Sequence, residues 1–196
     1  MSDVLILERV ATPRFVGRPW TRAKMIAGRR RNLTELEATA INPAVIAALR
    51  EASRRLTAQG VRHLVIGALA VGAHGWPRAT RDVDLLVAPE AWDTLVDSIG
   101  GVDIDYLPVD VAGDFLLASF AAPFVSEDVP IAPMEVVIIT KLLRLAMRDQ
   151  ADVVELVKAG VVDLDAVRAY LDTNAPMLTS RFDALVEQAR RELGET

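Results

Sequence analysis

Two aspartates separated by one valine, Asp82-Val83-Asp84, open an apolar run of Leu85, Leu86 and Val87 and follow two arginines, Arg78 and Arg81. On an extended strand, residues i and i+2 share a face, so both carboxylates project together while Val83 turns the other way. Beside a buried apolar run their repulsion is poorly screened, and either water or a cation must cover that face. A second pair, Asp103 and Asp105, repeats the spacing in "VDIDYLPV". Upstream, Gly67-Ala68 joins an apolar strand-like run to a small-residue helix, a turn whose backbone N–H groups can hold a phosphate. Carboxylates on neighbouring strands beside such a turn are what two-metal nucleotidyl transfer requires. Taken alone, Asp-x-Asp more commonly marks a solvated strand edge, and Arg78 and Arg81 either grip phosphate oxygens, pair with these carboxylates or are simply solvated.

The elements that must position these groups follow from periodicity and punctuation. Asn42 as cap and Pro43 at the first helical position open "PAVIAALREASRRLTAQG", with Val45, Ile46, Leu49, Ala52 and Leu56 at helical spacing until Gly60. "VRHLVIG" (61–67) reads as a buried strand, "ALAVGAHG" as a short helix and "DVDLLVA" as a second strand. "PEAWDTLVDSIGG" reads as a second helix ended by glycines, and "VDIDYLPV" as a third strand. "DFLLASFAAPFV" carries no clear period. From Pro133 onward the chain reads as helical: "PMEVVIITKLLRLAMRD", "QADVVELVKAG", "DLDAVRAYLDT" and "MLTSRFDALVEQARREL". The expected fold class is α+β (α/β), a sheet flanked by helices (42–132) with a C-terminal helical subdomain (133–196), preceded by a basic N-terminal arm (1–41).

Composition narrows the chemistry. The 196 residues are 52% apolar, enough for one well-filled core. Cysteine is absent, so a metal would sit on oxygen ligands or on His63 and His74, which favours a hard cation such as magnesium. No apolar run is long enough to span a bilayer, and no secretory signal pattern is present, so the expectation is a cytoplasmic protein without a membrane partner. The net charge of −5 is uneven: residues 1–34 hold eight Lys/Arg (Arg9, Arg14, Arg18, Arg22, Lys24, Arg29, Arg30, Arg31) against Asp3 and Glu8. Such an arm attracts phosphates or docks on its own acidic body. His63 and His74 read as packing or hydrogen-bonding residues, and Trp20 and Trp76 as packing residues that could also stack on a base.

The run "IGALAVGAHGWPRATRDVDLLV" resembles the signature of the minimal nucleotidyltransferase superfamily: a glycine turn, a spacer, then Asp-x-Asp. In particular it is similar to AbiEii-type and related bacterial nucleotidyltransferase-like proteins. "IDYLPVDVAGDF" resembles their third-aspartate strand and "KLLRLAMRDQADVVEL" their helical segment, so the resemblance covers roughly residues 43–160. It implies a mixed sheet, with Asp82 and Asp84 as ligands of two magnesium ions and Asp105 as the third carboxylate, which also draws the proton from the attacking hydroxyl. Asp103 is the alternative third carboxylate. Asp105 is preferred because Tyr106-Leu107 after it mirror Leu85-Leu86 after Asp84. The resemblance further implies that Gly67 and the Ala68 backbone hold the triphosphate. Arg78 and Thr80 would serve as phosphate or structural contacts, and Lys141 would reach the phosphates. Arg148, matched with Asp152, is either a nucleotide contact or half of a fold-holding ion pair.

The implied activity is magnesium-dependent transfer of a nucleoside monophosphate from a nucleoside triphosphate to an acceptor hydroxyl on tRNA or protein. The implied setting is a toxin–antitoxin system with an antitoxin partner. Ala68 stands where these proteins usually carry Gly or Ser. That departure favours the alternative, a catalytically inactive binding or regulatory protein on the same fold.

Overall fold

The computed structural model describes residues 30–39, 41–89, 95–144 and 146–195. Helix α1 (Leu33–Thr39) leads into α2 (Pro43–Ala58). The Asn42 side chain accepts a hydrogen bond from the Ala44 N–H, and Pro43 sits where a helix has no use for its N–H. Val45, Ile46, Leu49, Ala52 and Leu56 are all buried, as their spacing predicts.

Six strands form one mixed sheet: β1 (His63–Val65), β2 (Asp82–Val87), β3 (Ser98–Ile99), β4 (Val102–Pro108), β5 (Phe124–Ser126) and β6 (Val129–Ile131). Their spatial order is β3-β4-β2-β1-β6-β5. β2 runs parallel to β4 and antiparallel to β1, β1 runs parallel to β6, and β3/β4 and β5/β6 are antiparallel pairs. Register sorts the side chains into two faces. Val65 stands opposite Leu85 and Val83 opposite Ile104, on the face that includes His63, whose Nε2 lies 2.8 Å from Ser53 Oγ of α2. Helix α2 therefore covers that face. Leu64, Asp82, Asp84 and Leu86 belong to the other. Slipping β2 by one residue would bury Asp84 and Asp82 under α2 and expel Leu85, whose burial stabilises by about 2 kcal/mol. The alternation therefore fixes the register.

The remaining helices are α3 (Gly67–Ala73), the single turn α4 (Val109–Ala112), α5 (Met134–Leu143), α6 (Met147–Lys158), α7 (Leu164–Asn174) and α8 (Thr179–Glu192). One hydrophobic cluster runs from Leu33 through the sheet to Ala189, so the C-terminal helices share the core of the sheet. Among the described residues no helix is long and apolar enough to cross a membrane.

Several expectations need correction. The arm drawn to residue 41 ends earlier, because Leu33, Leu36 and Ile41 are buried in the common core and the Arg31 N–H bonds to the Ala73 carbonyl at 2.8 Å. The "DSIGG" end of the expected second helix is instead β3 and a hairpin turn. Gly100 and Gly101 have φ of 60° and 79°, the left-handed pair that a tight two-residue hairpin needs. Residues 90–94 of that expected helix lie outside the described residues. "DFLLASFA" winds into a 3-10 helix (Asp114–Ala121), followed by the β5/β6 hairpin. Its turn residues Glu127 and Asp128 take positive φ without glycine. Finally, the single helix expected from Pro133 to Asp149 is two, α5 and α6, with extended backbone at Arg144 and Ala146 between them.

Candidate active site

Parallel pairing of β2 and β4 sets Asp82 beside Asp103 and Asp84 beside Asp105. Four carboxylates thus share one face, but their surroundings differ. Asp84 and Asp105 line a cleft of about 550 Å³, together with Gly67 on α3, Leu107 on β4, Val111 on α4, and Thr140, Lys141 and Arg144 at the end of α5. Asp103 is exposed at the start of β4 and does not line it. Of the two candidates for a third carboxylate, Asp105 is the one placed next to Asp84.

Gly67 is required where it stands. Its φ is +64°, and a Cβ built there would fall 1.8 Å from Asp84 Oδ2, so the Asp84 carboxylate occupies space that only glycine leaves. Ala68 is buried and does not line the cleft. Burial pushes the Asp84 carboxyl above the usual carboxylate range, Asp82 adds to the rise and so does Asp105, while Lys141 and Arg144 oppose it. Thr80 Oγ1 donates a short hydrogen bond to Asp82 Oδ1, so the threonine hydroxyl orients that carboxylate.

Behind the cleft lies a chain of alternating charges. Arg78 grips Asp152 through Nε at 2.6 Å and Nη2 at 2.9 Å. Lys141, only 4% exposed, contacts Asp149 at 2.6 Å and Asp152 at 2.9 Å. Arg144 approaches Asp149 at 3.6 Å and Asp84 at 3.5 Å. Burial alone would push the Asp152 carboxyl up, but the Arg78 and Lys141 hydrogen bonds outweigh it and hold the group below its ordinary range. Asp152, reciprocally, holds the Arg78 guanidinium above its ordinary value against the effect of burial.

The expected site residues thus divide. Asp84, Asp105, Gly67 and Lys141 come together around the cleft, and Asp82 stands beside them with Thr80. Arg78 is turned to Asp152 and does not line the cleft. Arg148 is exposed on α6 outside the cleft, and the cations that pair with Asp152 are Arg78 and Lys141 rather than Arg148. His63 bonds Ser53 and the Val61 carbonyl, His74 bonds the Ala132 carbonyl, and Trp76 packs on the core. Trp20 and the basic residues from Arg9 to Arg29 lie outside the described residues, whereas the Arg30 guanidinium sits 5.0 Å from the Phe124 ring centroid.

Sequence reasoning overlooked Asp149 and Arg144. The signal was present as Lys141 and Asp149 eight residues apart, but a continuous helix would have carried Asp149 about 12 Å along the axis from Lys141. Only the break between α5 and α6 folds it back.

No family model and no curated protein matches the chain. The site therefore has to be read from its own chemistry. Among the described residues no group of three or more His, Cys, Asp or Glu is drawn together as a ready metal site. The donors available are nonetheless all hard carboxylate oxygens, of the kind magnesium selects. Asp84 carries a repulsion from Asp82 and Asp105 that a bound cation would remove. In donor type, Asp82, Asp84 and Asp105 suit a hard divalent cation.

Proposed function

We propose that the cleft binds a nucleoside triphosphate and transfers its nucleotidyl group to an acceptor hydroxyl. The observation that carries this reading is the register of β2 on β4, which brings Asp84 and Asp105 side by side at a cleft bounded by Gly67 and Lys141. The acceptor oxygen attacks the α-phosphorus, the bond from that phosphorus to the bridging oxygen breaks, and pyrophosphate leaves. Asp105, the most solvent-accessible carboxylate lining the cleft, accepts the hydroxyl proton. Asp82, Asp84 and Asp105 would hold two magnesium ions, which when bound neutralise the charge of the triphosphate and of the transition state. The basic residues of the N-terminal segment favour tRNA as acceptor over protein by phosphate neutralisation. The resemblance in sequence supports a toxin setting with an antitoxin partner.

A second reading, a nucleotide-binding regulatory protein without turnover, has its own observation. Arg78 and Lys141 are both engaged with Asp152, which leaves fewer cations for a triphosphate. Thermal shift with magnesium and ATP, CTP, GTP or UTP separately tests what the two readings share: at least one nucleotide raises the melting temperature only when magnesium is present. A melting temperature unmoved by all four, with and without magnesium, would contradict both.

A further inference from the structure

The cleft contains a cation that is not locked in place. Lys141 is buried between Asp149 and Asp152, at 2.6 Å and 2.9 Å, so its charge is committed to α6. Arg144 differs in every respect. Its side chain is 63% exposed, it follows α5 on extended backbone at the break before α6, and its two carboxylate contacts are long, 3.5 Å to Asp84 and 3.6 Å to Asp149. Contacts this long hold the exposed guanidinium only loosely, so it is readily exchanged. Asp84, by contrast, is only 13% exposed and sits among like charges, so a cation beside it relieves the repulsion whenever it is ionised. Arg144 supplies one in the absence of any other cation.

Resting on the nucleotidyl-transfer reading, we propose that Arg144 is the resident counter-ion of Asp84 and a gate on metal binding: it must leave Asp84 before a divalent cation binds, and the phosphates of the nucleotide draw it away. The chemistry is one of exchange. A guanidinium and a dication cannot both lie against one carboxylate without strong repulsion, whereas a polyphosphate offers the guanidinium a bidentate partner stronger than its long contact to Asp84. Metal and nucleotide then bind with positive coupling, each promoting the other by the same factor. Arg144 acts here as a positioning residue, because its effect on the metal passes through Asp84.

The test is metal affinity, measured by calorimetric titration of Mn²⁺ into wild type, Arg144→Gln, Arg144→Lys and Asp84→Asn. Each is titrated alone and with a mixture of the α,β-methylene analogues of ATP, CTP, GTP and UTP. Without nucleotide, Arg144→Gln binds Mn²⁺ more tightly than wild type by about 5-fold or more, the lower end of typical coupling, and Arg144→Lys stays close to wild type. The analogues tighten Mn²⁺ binding in wild type far more than in Arg144→Gln, and Asp84→Asn removes the site. Equal or weaker Mn²⁺ binding by Arg144→Gln, with Asp84-dependent binding present in wild type, overturns the gate and leaves the nucleotidyl-transfer reading standing. Absence of Asp84-dependent Mn²⁺ binding in every protein, even with the analogues, overturns both.

Discussion

At the scale of single residues, the site is decided by which side chains a neighbour leaves room for. Gly67 and Asp84 are interlocked: the glycine has positive φ, and its missing Cβ is the volume that holds the carboxylate. Gly67→Ala therefore strains the backbone by about 1–2 kcal/mol and forces Asp84 out of position. We expect a drop of that size in unfolding free energy by urea titration, together with loss of the magnesium-dependent nucleotide shift. A variant that binds nucleotide like wild type would show that Asp84 need not stand where it does. The residues central to this argument were legible in the sequence, because glycine before a small-residue helix and Asp-x-Asp at the head of an apolar strand are local patterns. That Asp105 rather than Asp103 stands beside Asp84 was also legible, through the matching Leu85-Leu86 and Tyr106-Leu107 pairs, which lie in register on β2 and β4.

At the scale of elements, the alternating charges behind the cleft tie the 76–81 loop, α5 and α6 to one another. Asp152 accepts from both Arg78 and Lys141 and is nearly enclosed. Removing it leaves a partly buried guanidinium without its carboxylate, and breaking a buried pair from one side costs about 3–5 kcal/mol. Asp152→Ala is expected to lower the unfolding free energy by that amount in urea titration. A loss within about 0.5 kcal/mol, typical of surface changes, would instead mark Asp152 as a residue that serves only a ligand. This part of the molecule was poorly legible. Whether Lys141 meets Asp149 depends on a helix break with neither proline nor glycine to announce it. The same limit explains the strand β3, since glycines after an apolar run end a helix or turn a hairpin equally well. Local pattern gave α2, β2 and β4, whereas the breaks and hairpins depend on tertiary pairing.

At the scale of the whole molecule, the carboxylate face is held by a core that reaches from α1 to α8, and the far edge of the sheet is fastened through His74. Its Nε2–H donates to the Ala132 carbonyl at 2.8 Å, and its ring lies 6.3 Å from that of Phe124. Burial lowers its pKa to about 4; the Ala132 hydrogen bond opposes the fall and the Arg30 charge adds to it. Above the ordinary value of 6.5, both folded and unfolded chains hold neutral imidazole and the residue costs nothing. As pH falls from 6.5 towards 4, the unfolded chain takes up a proton that the folded chain does not, so stability falls. Below about 4 both states are protonated and the loss is complete, on the order of 3 kcal/mol. Urea midpoints of wild type and His74→Gln between pH 7 and pH 4 check this: wild type loses more stability than the variant by about that amount, and parallel curves would contradict it.

The central claim is that the face carrying Asp82, Asp84 and Asp105 performs nucleotidyl transfer. It is tested most directly by incubating the protein with each α-³²P nucleoside triphosphate, magnesium, and total tRNA or cell lysate, alongside Asp84→Ala. Wild type is expected to place label on an acceptor, reduced at least 100-fold in the variant, the scale expected when a group that stabilises transition-state charge is lost. Equal labelling by both proteins, or none by well-folded wild type with any of the four nucleotides, would contradict it.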